Sequence, residues 1–172
     1  RKIAILTSLA FGQQVDFEDI HTEGITHISA TDIKYAKAMG RAIKLLATSK
    51  KTDGGYVAMV APFLLPKEHP LYNVNGVADV VEMAKNVDKN IPVEWSSKKL
   101  ELVDYRSAKN RFFVRVSGTD KTFVEKVFGN VEYIDAQGVT GELGFVTEVM
   151  TEEALENKKA AYGEVLNVIR VA

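Results

Sequence analysis

A lysine at position 2 heads the stretch of this sequence whose residue types best fit acid–base chemistry. It precedes an apolar run, Ile-Ala-Ile-Leu-Thr-Ser-Leu-Ala-Phe, that ends at Gly12. An amine held against apolar surface can exchange a proton near neutral pH and can therefore serve as a general acid or base. Because lysine side chains are mostly exposed in proteins, a solvated Lys2 without a catalytic role is the alternative interpretation.

Other polar and glycine-rich positions fit known site patterns less well. His21, His27 and His69 lack the i, i+4 spacing of a helical zinc site, so no metal site is predicted. Of the three, His69 is kept as a site candidate, because it lies in an irregular, turn-rich stretch. Glycines recur at every third position within residues 138–144, but this stretch does not lead from a strand into a helix. A hairpin is therefore favoured over a phosphate-binding loop.

Composition excludes several classes of function. The 172 residues allow one domain or two small ones, and 46% hydrophobic with 26% charged residues is typical of a soluble globular chain. A net charge of −1 gives no field that would attract nucleic acid or an anionic membrane. No apolar run approaches the ~20 residues that span a bilayer. The absence of cysteine excludes disulfides and cysteine-ligated metals, and it favours the cytoplasm.

The first half of the chain is predicted to contain helices and one hairpin. Hydrophobic periodicity predicts helices over residues 3–11, 30–39 and 77–85 and strands over residues 41–49 and 56–65. The first helix is apolar on most sides and is expected to be buried rather than amphipathic. Ser29 and Asp32 have the spacing of a capping box, which would start the second helix. An Asp-Gly-Gly sequence at 53–55 supplies the turn between the strands.

The second half has a different pattern, with a polar connector before it. Strands are predicted over 111–117, 131–137, 144–150 and 165–171, and helices over 121–128 and 152–162, which gives the order βαββαβ of a ferredoxin-like fold. Phe112 and Phe113 are expected to face opposite sides of the first of these strands. We therefore predict an α+β chain with a domain over residues 1–95, a linker over 96–110 and a second domain over 111–172.

Short motifs in the first half, taken in order, resemble the substrate domain of homoserine dehydrogenase. They are Arg1-Lys2-Ile3-Ala4-Ile5-Leu6, Glu23-Gly24-Ile25, Asp32-Ile33 with Ala36 and Gly40, Ile43-Lys44-Leu45-Leu46, and His69-Pro70-Leu71 through Gly76. This resemblance implies an antiparallel sheet with helices for the first domain, which also forms dimers in that family. Residues 111–172 resemble an ACT domain, mainly in their predicted topology.

The resemblance also implies a reaction. In that family NAD or NADP transfers a hydride to L-aspartate 4-semialdehyde, or accepts one from L-homoserine, in threonine and methionine biosynthesis. Lys2 matches the lysine that carries the proton, as general acid in reduction and general base in oxidation. A positive group there would also stabilise the developing alkoxide.

Parts that the family needs lie outside this sequence. They are the dinucleotide-binding domain, the acidic stretch before the lysine, and the strand region with a glycine-rich turn after Gly76. The cofactor-binding residues are accordingly unknown, and this chain alone is expected to be inactive.

The ACT-like part has two interpretations. It could bind threonine as a pathway signal at residues 117–120, where the first strand turns into the first helix, or it could serve only to build a homodimer or homotetramer. The alternative to a dehydrogenase is a non-enzymatic module of this type, which senses an amino acid or assembles an oligomer. Nucleic acid and membranes are not expected as partners.

Overall fold

The computed structural model describes residues 1–75 and 96–172, and within them the chain forms four helices and eight strands. In chain order these are α1 (Lys2–Phe11), β1 (His21–Thr22), α2 (Ala30–Ala38), β2 (Arg41–Thr52), β3 (Gly55–Pro66), β4 (Lys109–Ser117), α3 (Lys121–Phe128), β5 (Val131–Ile134), β6 (Glu142–Thr147), β7 (Met150–Thr151), α4 (Glu152–Tyr162) and β8 (Val165–Val171). Short 3-10 helices lie at Phe17–Asp19 and Tyr105–Ser107. The helix predicted over residues 77–85 falls outside the described residues.

All eight strands belong to one sheet, with the order β1-β3-β8-β4-β6-β5, with β2 paired to β3 and β7 paired to β4. The hairpin of β2 and β3 is antiparallel from the pair Arg41–Pro66 to the pair Thr52–Gly55. The last strand, β8, runs parallel to β3 and places Leu64 beside Val171. The order β8-β4-β6-β5 is that of a ferredoxin-like fold, so the predicted α+β class with a βαββαβ second half is confirmed.

Side-chain caps fix where three of the four described helices begin. Ser29 and Asp32 form the predicted capping box of α2: the Ser29 hydroxyl accepts from the Asp32 amide at 3.2 Å, and the Asp32 carboxylate accepts from the Ser29 amide at 2.7 Å. Asp120 and Thr151 cap α3 and α4 by one bond each, in which the side-chain oxygen accepts from a backbone amide of the first turn. Each such cap contributes about 1 kcal/mol, which matters for helices of eight to eleven residues.

Strand β4 divides the core into two layers, as its sequence predicts. Phe112 faces the helices of the second half in an apolar cluster with Val114, Val116, Val124, Phe128, Phe145 and Leu155. Phe113 faces the opposite side, in a cluster with Tyr35, Ala36, Leu64, Ala136, Val146 and Ile169. We call these two sides of the β8-β4-β6-β5 strands the α3–α4 face and the α2 face. Helix α2 of the first half thus covers the sheet face that a βαββαβ unit leaves open.

The prediction that α1 would be buried is wrong. Ile3, Ala4 and Thr7 are buried, but Ile5 and Leu9 are each 62% exposed. A helix that is apolar on most sides can still pack through one stripe, because packing is decided by the neighbouring elements as well as by the helix's own pattern. The predicted stop at Gly12 is confirmed, since this residue takes the left-handed conformation at φ 67°.

Several bounds in the second half also differ from prediction. β5 ends at Ile134 instead of residue 137, and β6 spans Glu142–Thr147 instead of 144–150. Phe123 of α3 is 36% exposed. Glycines in left-handed conformations at 138 and 141 lengthen the loop between the strands, and this shortens the ladder.

Residues 96–108 are more closely integrated than a polar connector would be. Leu100 is buried, its amide donates to the Gln14 carbonyl at 2.8 Å, and the Val103 amide donates to the Tyr56 carbonyl at 2.9 Å. The division into domains at 96–110 stays a prediction, and the sheet runs continuously from β3 through β8 across it.

Gly144 provides a test of how closely α2 packs on the sheet. A Cβ at this position would lie 2.3 Å from Cε1 of Tyr35, while the backbone of Gly144 does not require a positive φ. We expect Gly144→Ala to lower the free energy of unfolding by about 1–3 kcal/mol, because the ring must move within a packed core. Urea unfolding measures the change, and Gly24→Ala is the control, since its Cβ would meet nothing within 4 Å. Equal stability of the two variants would contradict this packing.

Candidate functional site

Lys2, the predicted proton carrier, is the first residue of α1 and is exposed. The Arg1 carbonyl accepts from the amides of Ala4 at 3.1 Å and Ile5 at 3.3 Å, which starts the helix, and no side chain caps it. Backbone N–H groups and the helix dipole favour negative charge at such a terminus. The first turn of α1 therefore favours negative charge beside Lys2.

The residues after Lys2 anchor α1 to the sheet. Ile3 and Ala4 share an apolar cluster with Ile20, Ala58 and Leu100. Arg1 lies over the ring of Phe17, with 5.1 Å between the guanidinium carbon and the ring centroid. The position of Lys2 is therefore fixed through its neighbours, by the segment that precedes β1 and by β3.

His69 has a local structural task. Its Nδ1 accepts from the Leu71 amide at 3.2 Å, within the turn that follows β3. Nearby, Lys44 of β2 donates to the Val74 carbonyl at 2.6 Å and to Oδ1 of Asn75 at 2.9 Å. These bonds tie the last described residues of the turn to β2.

Residues 117–120, the predicted effector turn, are largely occupied by bonds within the second half. The Ser117 amide donates to the Glu164 carbonyl, and the Ser117 carbonyl accepts from the Tyr162 hydroxyl at 3.1 Å. Gly118 donates its amide to the Gly141 carbonyl at 2.9 Å. Because the Asp120 carboxylate caps α3, an amino-acid ligand would have to bind through the remaining groups of the turn.

The glycines of residues 138–144 do not fit a dinucleotide. They belong to the β5–β6 connection and the start of β6, so they lead into a strand and not into a helix. The space over Gly144 is filled by the ring of Tyr35 rather than open to a phosphate. Within residues 1–75 and 96–172 we find no strand, glycine-rich turn and helix that would bind NAD or NADP.

A buried charge cluster, which motif analysis did not predict, joins α2 to the C-terminal strands. Arg115 of β4 is 7% exposed; its Nε and Nη2 donate to the two carboxylate oxygens of Glu142 at 2.8 and 2.9 Å. Nη1 donates to Oδ1 of Asp32 at 2.9 Å and to the Ser29 hydroxyl at 3.0 Å. Asn167 of β8 donates to the other oxygen of Asp32 at 2.9 Å. We call these five residues the α2 cluster.

The α2 cluster changes the protonation of its members. Burial opposes the ionisation of Asp32, but hydrogen bonds from Arg115, Ser29 and Asn167 outweigh it and hold the pKa of Asp32 below its ordinary value. Burial, together with the Glu142 carboxylate, raises the pKa of the neighbouring Tyr35 to about 12. Asp32 is therefore charged and Tyr35 neutral at physiological pH.

A second charge cluster lies on the opposite face of the sheet. Arg170 of β8 donates to both carboxylate oxygens of Glu23, at 2.9 and 2.7 Å, and also pairs with Glu152 at the start of α4. Glu23 in turn is 2.7 Å from Nε2 of His21. The His21 ring stacks on Tyr105, with 3.6 Å between centroids. We call these five residues the β1 cluster.

The two carboxylates of the β1 cluster respond in opposite directions. Burial raises the pKa of Glu23, but hydrogen bonds from Arg170 and His21 outweigh it, so that the pKa of Glu23 lies below its ordinary value. Burial raises the pKa of Glu152 above its ordinary value, and Arg170 compensates only in part. One guanidinium thus serves two carboxylates, and Glu152 is the one that is protonated first on acidification.

An open cleft of about 690 Å³ lies beside the β1 cluster. Its lining is rich in charge and includes Glu18, Asp19, His21, Lys99 and Asp104. Lys99 already pairs with Asp19 at 2.9 Å. Neither Lys2 nor His69 lines this cleft, so the structure does not bring the sequence-predicted site residues together there.

The sequence did contain one signal for both arginines. Arg115 lies between Val114 and Val116, and Arg170 lies between Ile169 and Val171; an arginine between apolar residues of a buried strand requires buried partners. In the part of the chain that the structure describes, no group of three or more histidine, aspartate or glutamate side chains could hold a metal ion. None of the described helices is long and apolar enough to cross a membrane.

Comparison with known proteins places these features in context. A family model described as homoserine dehydrogenase matches residues 1–94. The homoserine dehydrogenase of Pseudomonas aeruginosa is 40% identical over 80 residues, which are 46% of this chain and 18% of that protein. The enzyme of the same name from Synechocystis sp. is 49% identical over 80 residues, which are 44% of this chain and 18% of that protein. The matched part of the chain therefore spans about a fifth of the length of these relatives.

A solved structure extends the likeness to the second half. The crystal structure of a homoserine dehydrogenase from Thiobacillus denitrificans matches with a TM-score of 0.76 over 99% of this chain and 52% of that chain, at 18% identity. At this identity the match shows a shared fold, and it includes the C-terminal strands, which lie beyond the residues that the family model matches.

The α2 cluster predicts how stability depends on pH. Because the pKa of Asp32 is lowered in the folded state, its contribution is complete above the ordinary value of 3.8 and is lost as the pH falls through the folded value. We expect the free energy of unfolding to fall from pH 5 to pH 3 and to fall less steeply in Asp32→Asn. Urea unfolding at each pH measures this, with the exposed Asp53→Asn as control. A slope in Asp32→Asn equal to that of the unaltered chain would contradict it.

Proposed function

Because the chain belongs to the homoserine dehydrogenase family, whose model matches over half of it, we propose that it forms the substrate-side part of an NAD(P)-dependent oxidoreductase. The reaction proposed is the interconversion of L-aspartate 4-semialdehyde and L-homoserine, a step of threonine and methionine biosynthesis. The observation that carries the proposal is Lys2 at the first residue of α1, inside the matched region.

Lys2 is the proposed proton carrier of this reaction. In the reducing direction its ammonium group would donate a proton to the oxygen of the aldehyde while that oxygen gains negative charge. In the reverse direction the neutral amine would accept the proton of the homoserine hydroxyl. The N-terminus of α1 supports this role, because its backbone N–H groups and dipole also favour the developing negative charge.

The nicotinamide cofactor supplies the hydride and would be bound by residues outside those described. The described residues offer no cradle for a dinucleotide, so we assign no cofactor-binding residue and expect the chain to be inactive by itself. The domain over residues 1–95 would contribute the lysine and the substrate-facing surface. The domain over residues 111–172 would serve regulation or assembly.

We further propose a homodimer or homotetramer in the cytoplasm. Among the described strands β2 pairs only with β3, so the other edge of this twelve-residue strand is available to a second copy. The location is supported by the absence of cysteine from the sequence. Neither nucleic acid nor a membrane is proposed as a partner.

Replacing Lys2 tests the catalytic assignment. In the intact enzyme we expect Lys2→Ala to lower kcat by about 10²–10⁴, the contribution of a positioned acid–base group. The matched control is Lys121→Ala, which removes a lysine from the first residue of another helix, α3, and should leave kcat nearly unchanged. Steady-state oxidation of homoserine measures both. Near-full turnover in Lys2→Ala would remove Lys2 from the mechanism.

The alternative function is a non-enzymatic module of the ACT type, which the ferredoxin-like strand order of the second half favours. In this case residues 111–172 would bind an amino acid, with threonine as the expected effector, or would only assemble the oligomer. The bonds that already occupy residues 117–120 favour assembly over sensing.

Thermal unfolding separates these functions. If the second half is a sensor, L-threonine at 100 times its dissociation constant should stabilise this chain by about 2.7 kcal/mol, which raises Tm by several degrees. D-threonine is the control, because it has the same composition and the opposite configuration. An unchanged Tm with L-threonine would leave assembly as the role of the second half. Stabilisation of the intact protein by threonine but never by NADPH would contradict the dehydrogenase.

A further inference from the structure

The first half of the chain holds the C-terminal sheet from both of its faces, each time through one buried arginine. Arg115 lies on the α2 face, where its neighbour on the same side of β4 is Phe113. Arg170 lies on the α3–α4 face, because it stands opposite Phe112 in the β4–β8 ladder. Both residues are nearly inaccessible, at 7% and 4% exposed.

The two arginines share the same pattern of partners. Each pairs with one carboxylate of its own half, Glu142 for Arg115 and Glu152 for Arg170. Each also pairs with one carboxylate of the first half, Asp32 or Glu23 respectively. A planar guanidinium with five donors can serve two carboxylates in fixed geometry, which a lysine cannot.

The two contacts act on different parts of the first half. Asp32 is in the first turn of α2, and its carboxylate also accepts from the Ser29 amide in the capping box. The Arg115 contact therefore stabilises the start of that helix directly. Glu23 follows β1 directly, and Ile20 before β1 packs with Ile3 of α1. The Arg170 contact therefore stabilises β1 and, through Ile20, also α1.

We infer that Arg115 and Arg170 are two separate latches, one on each face of the C-terminal sheet, that set the local stability of α2 and of the α1–β1 region independently. Loss of one latch loosens its own segment and leaves the other in place. The α1–β1 latch has a consequence that rests on the proposed function: it holds the helix that carries Lys2. The C-terminal half then supports the proton carrier without contributing to it chemically.

Hydrogen–deuterium exchange of this chain tests the inference without any measurement of turnover. Arg115→Met should accelerate the exchange of the α2 amides, residues 34–38, by about tenfold or more, because hydrogen bonds to charged groups are lost. Arg170→Met should do the same for the α1 amides, residues 6–11. In each variant the other helix should change less than about threefold, and the amides of α3, residues 125–128, report global unfolding.

Arg111→Met is the matched control. Arg111 lies on the same strand as Arg115, but it is half exposed and pairs with Glu132 of β5, within the second half. It should accelerate neither α1 nor α2. Arg115→Lys and Arg170→Lys keep the charge but cannot pair with two carboxylates in the same geometry. They should accelerate amide exchange in the same helices as the methionine variants, by smaller factors. If a methionine variant does not fold, the lysine variant replaces it in the comparison.

Selective loosening of α2 by the Arg115 variants and of α1 by the Arg170 variants is the expected result. Equal acceleration of α1, α2 and α3 would overturn the inference, because the arginines would then support only global stability. It would equally be overturned by unchanged exchange, by acceleration of the opposite helix, or by failure of the lysine variants to fold. Since none of these results depends on catalysis, the inference and the proposed function can fail separately.

Discussion

The arrangement of this chain depends on a carboxylate and a guanidinium that are buried together beneath the N-terminus of α2. Asp32 has no exposed surface, and its two oxygens accept from Arg115, Asn167 and both polar groups of Ser29. The desolvation of such charges is costly, and removal of one partner of a buried pair typically costs 3–5 kcal/mol. The Asp32 carboxylate thus has two roles: it caps α2, and through Arg115 it fixes the position of α2 on the sheet.

Docking of α2 explains why the two halves share one sheet. A βαββαβ unit covers one face of its strands with its own helices, and here Phe113, Val146 and Ile169 on the other face pack against Tyr35. Pairing of β8 with β3 continues the sheet into the first half. The contact is so close that the Tyr35 ring lies directly over the backbone of Gly144. The family's proposed chemistry would therefore be carried by an element, α1, whose support comes from both halves.

Local signals predicted much of the fold. The capping box of α2, the helices α3 and α4 and the opposite orientations of Phe112 and Phe113 all follow from short-range spacing, and the structure has them. The exposure of Ile5 on α1 could not be predicted in this way, because it depends on which elements lie nearby. The partners of Arg115 and Arg170 could not be predicted either, because periodicity indicates a buried arginine without identifying the carboxylate that pairs with it. Whether Lys2 acts in catalysis stays a prediction, which rests on the family motif.

The partners in the Arg170–Glu23 pair are 147 positions apart in the sequence, and those in the Arg115–Asp32 pair are 83 apart. Contacts of such long range form late and slowly, because the entropy of closing a large loop must be overcome first. During synthesis the part of β3 at Phe63 and Leu64 lacks its partner strand until β8 has left the ribosome. This apolar stretch of strand edge is open to aggregation until β8 pairs with it.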